Sequence, residues 1–363
     1  MAAQSLYLNH GSPVSVEFQP GLHEQFEASG RFVVLADPAA IDSATQSRWL
    51  ARWGDRCLGW FAQTHRTSSL DAAHHLAEAI WPVLAGSNHI AVWAIGGGTT
   101  LDLGKLLHWR MPQLSQARLA WRNNEVPPGT VRHSLWCSPT TAGTGSEVTP
   151  WATVWDLNGR PARKRSWYPP SGYPDRALVD AHLTWGCPEH VMRDCALDAL
   201  SHALESLWNK QASDRSRPLA KQAARMILEA LPRLLQSPQD GHWRTQLSSA
   251  SLLAGMAMAQ TQTALAHALS YELTLSENIA HGQACAIWLP MTMELACLRS
   301  EQVRRDLQEV FDEPAELALQ SLRTWLVDLG VSPRDLRDSP AGQFMLSDAL
   351  NSDRGRNFVA QES

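Results

Sequence analysis

The sequence lacks any long run of basic residues, and its formal net charge is −5. Proteins whose main partner is nucleic acid or an anionic membrane usually present a basic patch or stripe. We therefore predict no nucleic-acid partner and no membrane partner, and we expect a small molecule instead. No apolar stretch is long enough to span a bilayer, because Gln260 and Gln262 interrupt even the small-residue segment of residues 251–269.

Cysteine is also scarce. The six cysteines are scattered over 363 residues, with no Cys-x-x-Cys pair and no close framework. A chain of this length forms a hydrophobic core without disulfides, so the pattern is typical of reduced thiols. The start of the chain lacks the basic region and apolar run of a secretory signal. These absences predict a cytoplasmic protein.

The length exceeds what one hydrophobic core usually serves, so two domains are expected. Short apolar runs typical of buried parallel strands occupy residues 31–37, 89–95 and 134–139. Helical periodicity dominates later, with predicted helices at residues 188–208, 217–235, 244–269, 281–299 and 303–329. We predict an α/β plus all-α fold, with a Rossmann-like, dinucleotide-binding parallel-sheet domain at residues 1–181 and an all-helical metal-binding domain at residues 182–363.

Asp37 stands at the carboxyl end of the first apolar run. An acid at the end of such a strand can accept hydrogen bonds from the adenosine ribose and repel a 2′-phosphate. That role would favour NAD(H) over NADP(H). The same residue could equally cap the helix that follows Pro38. Both interpretations of Asp37 stay open at the level of sequence.

Three consecutive glycines, Gly96, Gly97 and Gly98, lie between the second apolar run and a helix pattern. Glycine lets backbone N–H groups approach a pyrophosphate, and the start of a helix adds a favourable dipole. The spacing differs from the Gly-x-Gly-x-x-Gly of ordinary Rossmann enzymes. The turn indicates a phosphate site, although many glycine-rich turns are only tight connections.

Two stretches of the helical half carry residues that commonly bind metals. Asp198 and His202 are four residues apart in an Ala- and Leu-rich segment, so on a helix they share one face. His267 lies in a helix pattern, and His281 follows a polar loop just before Gly282. One carboxylate and three imidazoles suit Fe(II) or Zn(II) better than Mg(II) or Ca(II). Taken singly, an Asp and a His one turn apart also fit a solvated helix face, and the spacing shows only that the four side chains could meet.

These residues resemble those of the iron-containing alcohol dehydrogenases, also called the group III family. The resemblance is carried by residues 198–205 and by His267 and His281, which are fourteen residues apart before a glycine. It implies that the metal ligands are Asp198, His202, His267 and His281.

Two further motifs extend the resemblance into the first domain. Residues 96–105 match the family's Gly-Gly-Gly-Ser-x-x-Asp-x-x-Lys element, with threonine in place of serine. Residues 139–149 match its Pro-Thr-Thr-Ala-Gly-Thr-Gly-Ser-Glu-Val-Thr element without change. The resemblance, with the Asp37 argument above, implies that the cofactor contacts are Asp37, Gly96, Gly97, Gly98, Thr99, Asp102, Thr140, Thr141, Thr144 and Lys164.

The resemblance implies a homodimeric alcohol dehydrogenase or aldehyde reductase whose active site lies between the two domains. A metal with one carboxylate and three imidazole ligands keeps a net positive charge, so it can polarise an aldehyde oxygen while nicotinamide supplies the hydride. We expect Fe(II), with Zn(II) as the alternative, and NAD(H) as the cofactor. Many relatives carry histidine where this chain has Tyr271, so no residue is assigned as the proton donor.

The substrate is predicted from a narrower resemblance. Residues 208–210 and 267–274 are similar to the phosphonoacetaldehyde reductases of this family, which reduce phosphonoacetaldehyde to 2-hydroxyethylphosphonate. A phosphonate dianion needs cationic or N–H donors, and Asn209 and Lys210 are the candidate residues. Two alternatives stay open. One is a general primary-alcohol or lactaldehyde-type dehydrogenase, and the other is a dehydroquinate synthase-like lyase, against which the ligand set argues.

Overall fold

The computed structural model describes residues 12–160 and 162–359, and it divides into two compact units. The first contains the described residues up to Thr141 together with Ser146–Cys187. The second contains Ala142–Gly145 and the described residues from Pro188 onward. An α/β part followed by a helical part is the predicted fold class, and the structure confirms it. The boundary predicted at residue 181 lies slightly before the point where the first unit ends.

The first unit is built on a parallel sheet. Ten strands are described in it: β1 (Ser15–Phe18), β2 (Phe32–Ala36), β3 (Cys57–Ala62), β4 (Ala91–Gly96), β5 (Trp109–Arg110), β6 (Val131–Arg132), β7 (Leu135–Pro139), β8 (Ala152–Asp156), β9 (Arg163–Trp167) and β10 (Arg176–Val179). Six of them form the sheet in the order β1-β10-β7-β4-β2-β3, with every pair parallel. Strands β5 and β6, and β8 and β9, form two antiparallel ribbons.

The strand order reverses at β2. The chain visits β2, β3 and β4 in that order, yet β3 lies on one side of β2 and β4 on the other. In open parallel sheets, ligands bind in the crevice beyond the carboxyl ends of the strands at such a reversal. The topology therefore predicts a ligand site at the carboxyl ends of β2 and β4.

Both faces of this sheet are buried, as continuous apolar runs predict. Neighbouring residues of a strand point to opposite faces. Accordingly, Val33 and Leu35 of β2 join one core cluster, while Phe32 and Val34 join another that is rich in tryptophan. The helices described in this unit are α1 (Leu22–Gln25), α2 (Ser43–Trp53), α3 (Leu70–Leu84), α4 (Gly98–Leu107) and α5 (Leu114–Asn123).

The second unit is helical. Its described helices are α6 (Glu189–Leu207), α7 (Ser216–Gln236), α8 (Gly241–Thr261), α9 (Leu265–Ser276), α10 (His281–Cys297), α11 (Glu301–Phe311), α12 (Ala315–Asp328) and α13 (Pro340–Asn351). Helices α7, α8 and α10 all pack against α6, whose residues 196–207 are buried without interruption. Polar side chains in that stretch therefore need partners inside the unit.

The helix predicted at residues 244–269 is wrong, because the structure divides it into α8 and α9. Gln262 follows α8 with a left-handed φ of 64°. The carboxylate of Glu205 on α6 accepts hydrogen bonds from the N–H groups of Ala264 (2.9 Å) and Ala266 (2.6 Å). These bonds satisfy the free N–H groups at the start of α9 and so stabilise a new helix start. The apolar periodicity of the sequence continues across residues 262–264, so the pattern could not reveal that one helix ends there and another begins.

The helix predicted at residues 303–329 is also divided, into α11 and α12. Asp312 takes a left-handed φ of 57° after α11, and Pro314 precedes α12. Proline is well tolerated at a helix start and disfavours a helical residue before it.

Among the described helices, none combines the length and apolar character that crossing a membrane would need.

Candidate metal centre and nucleotide site

The glycine turn lies at the predicted crevice. Strand β4 ends at Gly96, Gly97 precedes the helix, and α4 begins at Gly98. A Cβ on Gly96 would collide with the Thr100 side chain, so glycine is required there. The first N–H groups of α4 have no helical acceptor, and together with the helix dipole they favour an anion. Gly97, Gly98 and Thr99, which are predicted to contact the cofactor, are partly exposed and so accessible to a ligand.

Two charged residues predicted to contact the cofactor are also partly exposed. Asp37 follows β2, and its N–H donates to the carbonyl of Ile95 on β4 at 2.9 Å. Its Oδ1 accepts the N–H of Ala39 at 2.9 Å, so the carboxylate stabilises a local turn and can still meet a ribose. Lys164 lies on β9, with Nζ 6.0 Å from the ring centre of Trp155.

The hydroxyl-rich loop after β7 begins beside the glycine turn. Thr140 donates its N–H to the carbonyl of Gly96 at 3.0 Å. The Thr141 side chain lies 3.5 Å from the point where a Cβ on Gly97 would stand. Two of the threonines predicted to contact the cofactor thus lie next to the turn, while Thr144 belongs to the second unit.

Asp102 and Lys105 on α4 hold the second half of this loop. The Asp102 carboxylate accepts hydrogen bonds from Ser146 Oγ (2.7 Å) and from the N–H of Thr153 (2.9 Å). Lys105 Nζ donates to Ser146 Oγ (2.7 Å) and to the carbonyl of Trp151 (2.8 Å). Burial lowers the pKa of Lys105 and raises that of Asp102, and the attraction between the two charges opposes both shifts. Asp102, predicted as a cofactor contact, therefore has protein partners for both carboxylate oxygens.

The four predicted metal ligands converge within the second unit. Helix α6 carries Asp198 and His202 one turn apart, α9 carries His267, and α10 begins with His281. The Asp198 Oδ1 atom lies 3.6 Å from His202 Nε2, 3.4 Å from His267 Nε2 and 3.9 Å from His281 Nε2. Ligands of a tetrahedral ion with ordinary bond lengths lie about 3.3–3.7 Å apart. The spacing fits a shared divalent ion.

The polar atoms at this centre lack ordinary partners. Asp198 is 6% exposed and His267 is 1% exposed. Within the described part of the chain, neither Asp198 Oδ1 nor His267 Nε2 has a hydrogen-bond partner. Leaving such atoms buried and unpaired costs free energy, so an unexplained set of them points to a bound ion. The residues present therefore fit the metal that the donor set implies.

Glu205 fixes the orientation of His267. Its Oε2 lies 2.6 Å from His267 Nδ1, and its oxygens also accept N–H groups at the start of α9. An anionic acceptor at Nδ1 holds the proton there and leaves Nε2 as the free lone pair. The sequence patterns predicted no role for Glu205. Its position seven residues after Asp198, on the same helix face, was the available signal.

The charges of Asp198 and His202 suit metal binding. Burial alone would raise the pKa of Asp198, but the neighbouring imidazoles, led by His202, hold it well below its usual range. Burial lowers the pKa of His202 to about 4, against the attraction of Asp198. At neutral pH the pair therefore presents a carboxylate and an uncharged imidazole, the forms that bind metals.

A thiol that was not predicted from the sequence lies at the same centre. Donor atoms of Asp198, His267, His281 and Cys285 all lie within 4.8 Å of one another. Cys285 Sγ is 3.9 Å from His281 Nε2. Burial would raise the pKa of Cys285, but the adjacent imidazoles of His267 and His281 lower it to about 6. The signal in the sequence was the spacing, because Cys285 follows His281 by one helical turn.

The residues predicted for the phosphonate lie at the end of α6. Asn209 is buried, and its side chain bonds the N–H of Gln211 (2.9 Å) and the carbonyl of Gln262 (3.3 Å). Lys210 is exposed, and its N–H donates to the carbonyl of Asn357 at 2.8 Å. The Asn209 side chain is thus engaged by the protein itself, whereas the Lys210 side chain reaches solvent.

A dinucleotide-type crevice in one unit and a cation centre in the other define a class of metal- and nucleotide-dependent oxidoreductases. Family models agree. Residues 18–181 match the model described as iron-containing alcohol dehydrogenase. Residues 193–338 match the model of the C-terminal part of the Fe-containing alcohol dehydrogenase family. The probable alcohol dehydrogenase EutG of Escherichia coli is 32% identical over 330 residues, which are 83% of this chain and 82% of that protein. The chain belongs to the iron-containing alcohol dehydrogenase family.

Two other similarities bear on the fold and on the substrate. The phosphonoacetaldehyde reductase of Streptomyces viridochromogenes is 36% identical over 204 residues, which span 54% of this chain and half of that protein. The sulfoacetaldehyde reductase of Bifidobacterium kashiwanohense, solved with NAD+, superposes with a TM-score of 0.84 at 20% identity, covering 97% of this chain and 94% of that one. The latter likeness concerns the fold. Family membership favours a dehydrogenase over the lyase alternative.

Proposed function

We propose that this chain is a metal-dependent, NAD(H)-linked aldehyde reductase that converts phosphonoacetaldehyde to 2-hydroxyethylphosphonate. The metal-dependent part rests on two buried atoms, Asp198 Oδ1 and His267 Nε2, that have no hydrogen-bond partner among the described residues and could bind a metal ion. The observation behind the cofactor is the glycine turn beside Asp37 at the reversal of strand order. The substrate rests on the phosphonoacetaldehyde reductase relative and on Arg354, an arginine near the metal ligands.

The proposed chemistry divides between bound groups and the chain. When bound, Fe(II), or Zn(II) in its place, supplies a Lewis acid for the aldehyde oxygen, and NADH supplies the hydride. Asp198, His202, His267 and His281 are the residues that would hold the ion. Glu205 holds the proton at Nδ1 of His267. The lone pair of Nε2 is then free to bind the ion. The buried surroundings of Asp198, His202 and His267 limit access of water from their side of the centre.

Arg354 supports an anionic substrate. Its guanidinium carbon lies 5.2 Å from the ring centre of Tyr271, and that ring stacks on the imidazole of metal ligand His281, with centres 6.4 Å apart and planes at 13°. Arg354 also donates to Thr263 Oγ1 at 3.1 Å. Within residues 12–160 and 162–359, no carboxylate forms an ion pair with it. A half-buried guanidinium without a counter-ion near the metal ligands is suited to a phosphonate, since its fork matches two oxygens.

The proposal is tested by comparing substrates. Purified protein loaded anaerobically with Fe(II) should oxidise NADH with phosphonoacetaldehyde at a kcat/KM about 100-fold above that with acetaldehyde or lactaldehyde, because charge-assisted hydrogen bonds to one guanidinium are worth that much. Arg354→Gln should reduce this preference about tenfold or more. Arg356→Gln, which changes an exposed arginine two residues away, should leave it unchanged.

Two outcomes would remove different parts of the proposal. Equal kcat/KM values for the three aldehydes would eliminate the phosphonate while leaving the aldehyde reductase. No NADH oxidation with any aldehyde, in protein shown to contain metal, would eliminate the reductase. A general primary-alcohol dehydrogenase is the second candidate, and the relative that covers most of both chains favours it.

A further inference from the structure

Tyr271 lies beside the metal ligands but has no part in the proposed chemistry. It follows His267 by four residues on α9, so the two side chains share one face of that helix. Its ring stacks on the imidazole of His281, with centres 6.4 Å apart and planes at 13°. The guanidinium carbon of Arg354 lies 5.2 Å from the centre of the same ring. Tyr271 is therefore a neighbour of both a predicted metal ligand and an arginine.

Arg354 is held at both ends of its side chain. Its backbone leads into the short turn Gly355–Asn357, and Asn357 Nδ2 donates to the carbonyl of Thr263 at 2.9 Å. At the far end, Nη1 of Arg354 donates to Thr263 Oγ1 at 3.1 Å, and the Tyr271 ring attracts the guanidinium. An arginine that is free in solvent loses rotamer freedom when it binds an anion, whereas one that is already ordered loses less. These contacts therefore prepare the guanidinium for an anionic ligand.

An aromatic ring orders an arginine in a different way from a carboxylate. A carboxylate partner would neutralise the guanidinium and would occupy two of its N–H groups. The face of a ring attracts the cation without accepting those N–H groups in the plane of the fork. Contact with Tyr271 therefore orders Arg354 while its charge and its remaining donors stay available to the oxygens of a phosphonate.

We propose that Tyr271 is a positioning residue that determines substrate specificity, because its ring holds the Arg354 guanidinium where it binds the anionic end of the aldehyde. In phosphonoacetaldehyde a single methylene group joins the phosphorus to the carbonyl carbon. A cation for the anionic end must therefore be held close to the centre that receives the carbonyl, and the ring that stacks on His281 holds it there. The inference rests on the proposed function and adds to it the residue that orients Arg354.

Steady-state kinetics with two aldehydes test the role of the ring, with rates expressed per bound metal ion. In the metal-loaded full chain, Tyr271→Leu should raise KM for phosphonoacetaldehyde about fivefold and leave kcat within about twofold, since it weakens only the hold on the anionic end. Acetaldehyde has no anionic end, so its kcat/KM should stay within about twofold. Tyr271→Phe keeps the ring and should behave like the unaltered protein. Tyr168→Leu, which removes an exposed tyrosine of the first unit, should affect neither aldehyde.

Binding of the proposed product, 2-hydroxyethylphosphonate, gives a readout that needs no turnover. Titration calorimetry of the metal-loaded protein should show a Kd raised about tenfold or more in Arg354→Gln and about fivefold in Tyr271→Leu. In the double variant, Tyr271→Leu should add less than about twofold to the loss in Arg354→Gln, because the ring acts through the guanidinium. A ring with a purely structural role would weaken binding by the same factor in both backgrounds.

The outcomes separate this inference from the proposed function. If Arg354→Gln weakens binding of 2-hydroxyethylphosphonate and Tyr271→Leu does not, the positioning role is overturned while the proposed substrate is unaffected. Equal losses for both aldehydes in Tyr271→Leu, additive losses in the double variant, or a Tyr271→Phe variant that behaves like Tyr271→Leu would also overturn it. If the unaltered protein neither prefers phosphonoacetaldehyde nor binds 2-hydroxyethylphosphonate, the proposed substrate and this inference both fail.

Discussion

The two candidate sites are built from different parts of the chain. At the nucleotide crevice, backbone N–H groups at the start of α4 face the ligand position, and the nearby polar side chains of Asp102 and Lys105 are fully engaged with the protein. At the candidate metal centre, side chains from three helices supply the polar atoms, and two of these atoms, Asp198 Oδ1 and His267 Nε2, have no hydrogen-bond partner among the described residues. The side chains beside the nucleotide crevice are therefore paired with the protein before any ligand binds. The buried polar atoms of the candidate metal centre would gain partners only from a bound ion.

This difference predicts different responses to substitution. A backbone-built site tolerates changes in most side chains but depends on the residues that hold its loops. A site with unpaired buried donors is stabilised by its ion, because a ligand that binds only the folded state raises the free energy of unfolding. Amino-acid substitutions that leave the fold intact can still abolish ion binding at such a site. Substitutions at Lys105 and Asp37 test the nucleotide crevice, and a substitution at Glu205 tests the candidate metal centre.

The largest change in free energy is expected for Lys105→Met, at the nucleotide crevice. Lys105 is 1% exposed, and its ammonium bonds Ser146 and the Trp151 carbonyl and attracts Asp102 at 3.8 Å. Removing one member of a buried charge pair leaves the other uncompensated, so the free energy of unfolding should fall by about 3 kcal/mol. Urea denaturation of the metal-free protein measures it.

The control is the double variant Lys105→Met with Asp102→Asn. Removing both charges should recover a substantial part of the lost free energy, because the penalty comes from the uncompensated carboxylate. Lys210→Met, which changes an exposed lysine after α6, should cost less than about 1 kcal/mol. A Lys105→Met loss no larger than the Lys210→Met loss would contradict the anchoring role of the buried lysine.

The strands around the nucleotide crevice could be predicted from the sequence because their determinants are local. Continuous apolar runs around residues 31–37 and 89–95 became β2 and β4, and the glycines became the turn before α4. The break at Gln262 could not be predicted in this way. It depends on hydrogen bonds from Glu205, which is more than fifty residues away in the chain.

Prediction from the sequence reaches the same limit at the candidate metal centre, because long-range packing decides part of it. The spacing of Asp198 and His202 and the family resemblance predicted residues that the fold brings together. Glu205 and Cys285 lacked any such prediction, although each lies on a helix face already marked by a ligand. Their positions at the centre come from α9 and α10 packing against α6, and a single sequence does not specify that packing.

The next largest effect is expected on the Zn(II) affinity of the candidate metal centre, when Glu205 is changed. Glu205→Gln keeps the size of the side chain but removes the negative charge that holds the proton on His267 Nδ1. The imidazole can then adopt the tautomer that blocks Nε2, so Zn(II) affinity should fall about 10- to 100-fold. Competition with a chromogenic chelator measures the affinity.

Ser201→Ala is the matched control for this variant. Ser201 is also buried on α6, but its hydroxyl donates to the Leu197 carbonyl of its own helix and, among the described residues, to no residue of the centre. Its loss should leave Zn(II) affinity within about twofold of the unaltered protein, because the ligands keep their orientation. Unchanged affinity in Glu205→Gln, or an equal loss in both variants, would show that the carboxylate does not orient His267.

The smallest effect is expected for Asp37→Ser, which tests whether a side chain contributes to the largely backbone-built site. A carboxylate at the end of β2 should accept the ribose hydroxyls of NADH and repel the 2′-phosphate of NADPH. Its removal should lower the ratio of kcat/KM for NADH over NADPH about tenfold, a change of about 1.4 kcal/mol. Asp42→Ser controls for lost surface charge, because Asp42 is exposed and caps α2, a role that serine retains. If both variants change the ratio equally, Asp37 acts only through general electrostatics, and the crevice selects its cofactor through backbone groups alone.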